Sequence, residues 1–265
     1  MDQDPPSTRA PLSLVLITRN AAPQLRACLE SARFVDEIIV VDSGSDDDTV
    51  QVAASAGARV VHQNWLGFGP QKQFAVGQAK NDWVLCLDAD ERVTPELARS
   101  IQTMLQTPSA VAYRMARCNR FLGRWLRHGE GYPDWNTRLF DRRHARWSDD
   151  AVHERVIADG SIATLAGDLA HESAESLDAY MAKQNRYTTL QAQTMHASGR
   201  KASIAKLIFS PVVRFIRYYF LKLGFLDGIA GLIHIAIGCE TSFLKQAKLI
   251  ALERAHPHAG EAARP

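Results

Sequence analysis

The chain has 265 residues, 46% apolar and 23% charged, with 31 basic side chains against 29 acidic ones and a formal net charge of +2. These values suit one large globular domain, or one domain with an appendage, and exclude collagenous, coiled-coil, disordered and disulfide-stapled classes. The mean hides a split: residues 1–110 carry 9 basic and 14 acidic groups, and the remainder carries 22 and 15, so only the second half suits an anionic surface.

The polar start, Met1 to Pro11, is followed by the apolar run Leu12–Ile17, which is too short for a secretory core and lacks a basic flank. The chain is therefore expected to stay unexported. That run reads as a strand buried on both faces. Pro23 opens a helix with Leu25, Cys28, Leu29 and Ala32 on one stripe. Ile38–Val41 is the next strand, ending at Asp42, and Asp46 is placed to cap a helix running to about Ala56 and closed by Gly57. Val60–Val61 is a short third strand, Pro70 opens another helix, and Trp83–Leu87 is a fourth strand ending at Asp88. Thr94-Pro95-Glu96 starts a helix with Leu97, Ile101, Met104 and Leu105 inward. Strands alternating with helices predict an α/β fold with a mostly parallel sheet covered on both faces.

From 111 onward the pattern changes. Val111–Met115 and Thr137–Phe140 read as antiparallel additions, separated by a Gly- and Arg-rich stretch, and Glu175–His196 reads as helix. Residues 200–222 hold six basic side chains and no acid, interleaved with Leu207, Phe209, Phe215, Tyr218 and Phe220, which predicts an amphipathic segment at a membrane interface. The apolar stretch Leu223–Cys239 falls short of the roughly 20 clean residues of a spanning helix. The expected organisation is a catalytic domain at 10–175, a helical membrane-associating region at 176–254 and a frayed tail at 255–265. Cys28, Cys86, Cys118 and Cys239 form no CxxC pair and read as reduced, buried hydrophobes.

Open parallel sheets bind ligands at the carboxyl ends of their strands. Three polar groups stand there: Thr18-Arg19-Asn20, Asp42-Ser43-Gly44-Ser45 and Asp88-Ala89-Asp90. Two carboxylates spaced i, i+2 after a buried strand can share a pocket and hold a hard divalent ion that neutralises a diphosphate. Asp42 can accept hydrogen bonds from a ribose or base, or serve turn chemistry. There is no GxGxxG fingerprint after the first strand and no P-loop, which argues against nicotinamide enzymes and P-loop kinases. Lys72 and Arg138 could offset phosphate charge, and His153 or His171 could complete a metal shell or meet the diphosphate. Arg114, Arg117, Arg120, Arg124 and Arg127 would attract a phosphorylated acceptor, and Trp125, Tyr132 and Trp135 could stack on sugars or fill the core. No nucleic-acid-binding motif accompanies the basic residues.

Four strings together, Leu14–Asn20, Val40–Ser45, Gly67–Gln73 and Leu87–Glu91, resemble glycosyltransferase family 2, and within it the lipopolysaccharide core beta-1,4-glucosyltransferase-like branch. Arg138-Leu139-Phe140, Val152-His153-Glu154 and Gly224–Gly228 extend the likeness to roughly 12–250. The resemblance implies a Rossmann-like GT-A fold and an inverting, metal-dependent transfer of a hexose, glucose from UDP-glucose, to an inner-core sugar. Mg²⁺ or Mn²⁺ would be the cofactor, and the enzyme would sit on the inner face of the bacterial cytoplasmic membrane. Carried over by position, Thr18 and Asn20 lie beside the nucleotide, Asp42 binds the uridine, and Asp88 and Asp90 serve the diphosphate and metal. By their own chemistry Lys72 is expected on the nucleotide side and His171 on the metal. Arg138, His153 and Trp135 fall to acceptor or phosphate. Many relatives carry a second acid where this chain has Ser43. Inversion needs one base opposite the leaving group. Glu154 is the candidate, since the likeness puts the acceptor-side acid there, with Asp149 and Asp150 behind it. Two other readings stay open: transfer to a polyprenyl phosphate or other envelope glycan, and a non-catalytic nucleotide-sugar-binding scaffold.

Overall fold

The apolar runs of the first hundred residues form the centre of a mixed sheet in a computed structural model that describes residues 9–150, 154–173 and 176–255. The chain divides into two units: the first holds the residues up to Cys118 together with Asp134–Glu172, the second Asn119–Pro133 and the residues from Ser173 on.

The first unit runs β1 (Leu12–Thr18), α1 (Ala22–Ser31), β2 (Glu37–Asp42), α2 (Thr49–Ser55), β3 (Arg59–His62), α3 (Phe68–Gly77), β4 (Trp83–Leu87), β5 (Glu91–Val93), α4 (Pro95–Met104) and β6 (Ala112–Phe121), whose last residues enter the second unit. There β6 pairs with β7 (Arg124–Trp125). The first unit resumes with β8 (Asp134–Asp141), β9 (Ala145–Trp147), β10 (Val156–Ala158) and β11 (Ile162–His171). The sheet order is β3-β2-β1-β4-β8-β6-β11-β5, and β9 with β10 makes a separate antiparallel pair. The β3-β2-β1-β4 part is parallel, while β8 joins β4 and β6 antiparallel and β5 joins β11 antiparallel.

Because side chains alternate along a strand, β1 feeds two cores. Leu12, Leu14 and Leu16 pack with Leu25, Cys28 and Leu29 of α1 and Leu97 and Ile101 of α4. Val15 points the other way, to Ile39, Val41, Ala75, Val76 and Phe140. Each fully buried leucine contributes about 2 kcal/mol of transfer free energy. This double burial is why the parallel strands read as unbroken apolar runs. Chain order reverses between β1 and β4: β2 and β3 lie to one side of β1 and β4 to the other. That switch opens a crevice beyond the carboxyl ends of β1 and β4.

Two helix starts differ in outcome. Thr94 caps α4 as expected, its Oγ1 accepting from Leu97 N and donating 2.8 Å to the Asp168 carbonyl. The Asp46 cap does not form. Asp46 N donates to Asn20 Oδ1, and Asp47 accepts from Thr49 N and Ala22 N, so these acids tie loops together and α2 begins only at Thr49. Likewise α3 begins at Phe68, two residues before Pro70. The sequence reading has no strand at β5, β7, β9, β10 or β11: four are only two or three residues long, and β11 is mostly half-exposed and interrupted by Gly167.

The second unit contains α5 (Leu177–Ala197), α6 (Ile204–Phe215), a π-helical turn at Ile216–Leu221, a 3-10 turn at Gly224–Asp227 and α7 (Gly228–Ala255). α7 packs against both α5 and α6. The Arg-rich stretch 119–133, which the sequence places within the catalytic segment, belongs with these helices. Asp227 accepts from the backbone N–H groups of Arg127 and His128 and pairs with His128 Nδ1 at 3.0 Å, and Arg124 donates to the Leu226 carbonyl. Glu130 pairs with Arg214, whose Nη1 reaches Ser242 Oγ at 2.7 Å. Gly238 packs close beside this pair, and a Cβ there would displace the Glu130 carboxylate. The apolar stretch is longer than expected: Gly224–Ala255 is long and apolar enough to cross a membrane by length and composition, yet 39% of its most apolar part is buried within the fold.

Candidate active site

Asp88 follows the last residue of β4 and is the hub of a largely buried ionic cluster. Its Oδ1 lies 3.0 Å from Lys72 Nζ and its Oδ2 2.5 Å from Arg138 Nη2. Lys72 comes from α3 and also meets Glu154 Oε1 at 2.9 Å. Arg138 also reaches Glu91 Oε1 at 2.7 Å. The side chains of Lys72 and Arg138 are only 7% and 6% exposed, and Glu91 is fully buried, so their charges must be compensated locally. The result is a chain of alternating sign, Glu154–Lys72–Asp88–Arg138–Glu91.

Backbone geometry explains the convergence. The antiparallel register sets Leu139 of β8 opposite Leu85 of β4, which brings the preceding residue, Arg138, toward the strand end at Asp88. Pairing of β8 with β6 skips from Leu139 to Thr137, leaving Arg138 as the extra residue of a bulge. Bulges re-aim a side chain, and here the guanidinium is directed to the carboxylates. The buried Trp147 ring supports both cations, with Lys72 Nζ 4.8 Å and the Arg138 guanidinium 5.9 Å from a ring centroid, and its Nε1 donates to Cys86 Sγ.

Asp90 lies beside this hub, its Oδ2 3.2 Å from His171 Nε2. The pairing of β5 with β11 sets His171 opposite Glu91 and thereby next to Asp90. Among the described residues no group of three His, Cys, Asp or Glu is placed to hold an ion. Asp90 and His171 supply one oxygen and one imidazole nitrogen. Hard divalent ions often take few protein ligands and complete their shell from substrate phosphates, so this donor pair fits an ion that arrives with a diphosphate.

At the ends of β1 and β2, Asp42 is saturated by its own surroundings. Its Oδ1 accepts from Thr18 Oγ1 and Ser45 Oγ, and its Oδ2 from the N–H groups of Gly44 and Ser45. A carboxylate offers about four lone-pair sites, and all four are filled. Asp42 therefore shapes the Ser43–Ser45 loop rather than presenting free acceptors. Asn20 adopts a left-handed φ of 52° and ties into the same loop through Ser45 Oγ and Asp46 N. Gln71, fully buried on α3, donates to Ser43 Oγ at 3.0 Å and to the Gln63 carbonyl.

The structure thus brings together Lys72, Asp88, Arg138 and Glu154, places Asp90 with His171, and joins Thr18, Asn20 and Asp42 in one loop system. Among the described residues, Trp135 shares no hydrogen bond or ion pair with the cluster. It is 45% exposed, with the Arg114 guanidinium 5.1 Å from its ring centroid. His153 lies outside the described residues. Glu91, Trp147 and Gln71 were missed as functional candidates. Glu91 had a visible cue, directly following Asp90, whereas nothing local marks Trp147.

Electrostatics follow from these contacts. Burial pushes the Asp88 carboxyl upward, but Arg138 and Lys72 more than offset it and hold it well below the usual range. Burial opposes ionisation of Asp90 and Asp42 too, overcome by His171 and by the Ser45, Thr18 and Gly44 hydrogen bonds respectively, so both lie low. Burial raises Glu91 above the ordinary value, with Arg138 opposing. Groups held low in the fold contribute stability that is complete above their unfolded value of about 4 and lost as pH falls toward the folded ones; Glu91 offsets part of it. The thermal midpoint is therefore expected to drop as pH falls from 5 to 3 in scanning calorimetry, and Asp42→Asn should reduce that slope.

The Glycosyl transferase family 2 model matches residues 13–159. The lipopolysaccharide core biosynthesis glycosyltransferase LpsC of Rhizobium meliloti is 33% identical over 249 residues, covering 91% of this chain and 92% of that one. An uncharacterized glycosyltransferase of Rickettsia prowazekii is 30% identical over 254 residues, covering 90% and 86%. Among solved structures, S. aureus TarS 1-349 superposes with a TM-score of 0.48 at 14% identity, covering 93% of this chain and 92% of that one.

Proposed function

The chain belongs to glycosyl transferase family 2, and we propose that it transfers glucose from UDP-glucose to an inner-core sugar of lipopolysaccharide with inversion at the anomeric carbon. The observation that carries this reading is the buried cluster at the β1/β4 switch point, where two cations meet Asp88, the first residue of the Asp88-Ala89-Asp90 triplet that follows β4. The core acceptor rests on the similarity to the R. meliloti protein along nearly its whole length.

In this reading the Thr18–Asn20 and Ser43–Ser45 loops receive the nucleoside, with Asp42 holding their shape. Lys72 and Arg138 face the diphosphate and stabilise the charge that builds on it as the glycosidic bond breaks. Glu154 takes the proton from the acceptor hydroxyl. Lys72 bridges Asp88 and Glu154, and so ties the diphosphate side of the site to the acceptor-side acid. Asp90 and His171 would hold Mg²⁺ or Mn²⁺, which supplies Lewis-acid neutralisation of the diphosphate. Arg114 with Trp135 offers a cation and an aromatic face to a phosphorylated sugar acceptor. The enzyme works at the inner face of the cytoplasmic membrane, where such acceptors are lipid-linked.

The test is a matrix of UDP-sugars and acceptors with the full-length protein, with Mn²⁺ or after chelation. Transfer of glucose to isolated core oligosaccharide, lost on chelation, is the expected result. Transfer to polyprenyl phosphate instead would move the acceptor assignment, and turnover unaffected by chelation would remove the metal role of Asp90 and His171.

A further inference from the structure

We propose that the second unit docks on an anionic bilayer through one continuous face, formed by α6, the π-turn and the 3-10 turn, which lies in the plane of a single leaflet while α7 stays inside the unit. This rests on the reading that the enzyme works at a membrane surface. It adds which residues enter, which lipid charge they select, and that the chain does not cross.

α6 buries none of its residues fully. Ile204, Phe209 and Val213 are 70%, 61% and 60% exposed, and the face continues through Phe220, Leu221 and Phe225. Half-exposed residues scattered singly need no explanation, but a contiguous apolar face of this length does. Its charge is one-sided. Residues 203–226 contain no Asp or Glu, and Lys206, Arg217 and Lys222 are exposed along it. An apolar face rimmed only by cations matches an anionic lipid surface, where each basic side chain gains from the surface potential. Aromatic rings support this, since Phe215 stacks on Tyr219 at 5.0 Å and Tyr219 meets Phe220 and Phe225 edge-on. Tyr219 is the amphipathic member of this group, and tyrosine rings concentrate at the boundary between headgroups and tails.

α7 is built differently, although it is long and apolar enough to span by length and composition. Lys248 Nζ donates to Asn185 Oδ1, Thr188 Oγ1 and Thr189 Oγ1 of α5, and Glu253 accepts from Ala202 N. Ser242 and Gln246 are buried on the same helix. Crossing would strip α7 of α5 and expose these groups to hydrocarbon, where unsatisfied polar groups cost several kcal/mol each.

The experiment is flotation of the full-length protein with vesicles of phosphatidylcholine, with or without 30% phosphatidylglycerol by design, beside calorimetric titration with UDP-glucose. Flotation is expected with the anionic vesicles and weaker with the neutral ones. The double variant Phe209→Ser, Phe220→Ser should lose at least about tenfold in vesicle affinity with UDP-glucose binding unchanged. Equal flotation of variant and wild type overturns the proposal, as does a wild type that stays unbound, or a dimer in solution that the variant converts to monomer without any flotation. Loss of donor binding with flotation intact would sink the catalytic reading and leave the docking face standing. For orientation, Lys201→Cys and Arg254→Cys are labelled with an impermeant maleimide on inverted membrane vesicles. Both should react from the cytoplasmic side above wild-type background, and protection of Arg254→Cys alone would show that α7 crosses.

Discussion

Asp88→Asn is expected to lower turnover by about 10³-fold and stability by about 3 kcal/mol, the largest combined effect of any single substitution in the cluster. Asp88 is the anion shared by Lys72 and Arg138, both almost fully enclosed. Asparagine keeps the shape but removes the charge, leaving two buried cations with Glu154 and Glu91 as their remaining ionic partners. Breaking a buried pair from one side costs more than the pair contributes, because the partner stays desolvated. The Asp88 side chain is itself 32% exposed, which places the cost at the lower end of that range. Urea unfolding and steady-state kinetics read the two effects separately. Asp90→Asn is the control: it disturbs the pairing with His171 but no Lys or Arg contact of the cluster, so activity should fall with a stability change within about 1 kcal/mol. A wild-type urea midpoint for Asp88→Asn would show that Lys72 and Arg138 do not depend on it.

Glu154→Gln is expected to reduce kcat by about 10² to 10⁴ while leaving the affinity for donor nearly unchanged. The glutamine carbonyl can still accept from Lys72, so the contact at 2.9 Å is retained in kind while the proton acceptor is lost. This separates a base from an ion-pair partner. A base variant loses turnover at near-constant stability and binds UDP-glucose normally by calorimetry. A partner variant loses stability and keeps turnover. Asp149→Asn and Asp150→Asn should each retain most activity, and near-normal turnover in Glu154→Gln with loss in either of these would transfer the role. Because Lys72 touches both Asp88 and Glu154, Lys72→Met should affect donor affinity and kcat together, and the two effects should not add with those of Glu154→Gln.

Much of this protein was legible in its residues. Parallel strands buried on both faces must be continuous apolar runs, so Leu12–Ile17, Ile38–Val41 and Trp83–Leu87 announced themselves, and the first polar residue after each marked the carboxyl edge of the sheet. Thr18, Asp42 and Asp88 could be named for that reason, and Thr94-Pro95-Glu96 could be read as a helix start from local chemistry alone. Composition also separated an acidic first part from a basic, aromatic second part.

Partnership was decided only by the tertiary structure. Lys72 and Glu154 are 82 positions apart, and Arg138 and Asp88 are 50 apart. Which carboxylate neutralises which cation depends on strand register and on a bulge at Arg138, and neither leaves a periodic trace in the chain. The same holds for Asp42, whose four acceptor sites are filled by Thr18 and by its own loop, for Trp147 beneath both cations, and for residues 119–133, which pack with helices that follow them by about a hundred positions. Local sequence encodes periodicity, caps and strand ends, because these depend on neighbours a few residues away. Charge compensation in a buried site depends on contacts closed over long loops, and those exist only once the sheet has assembled.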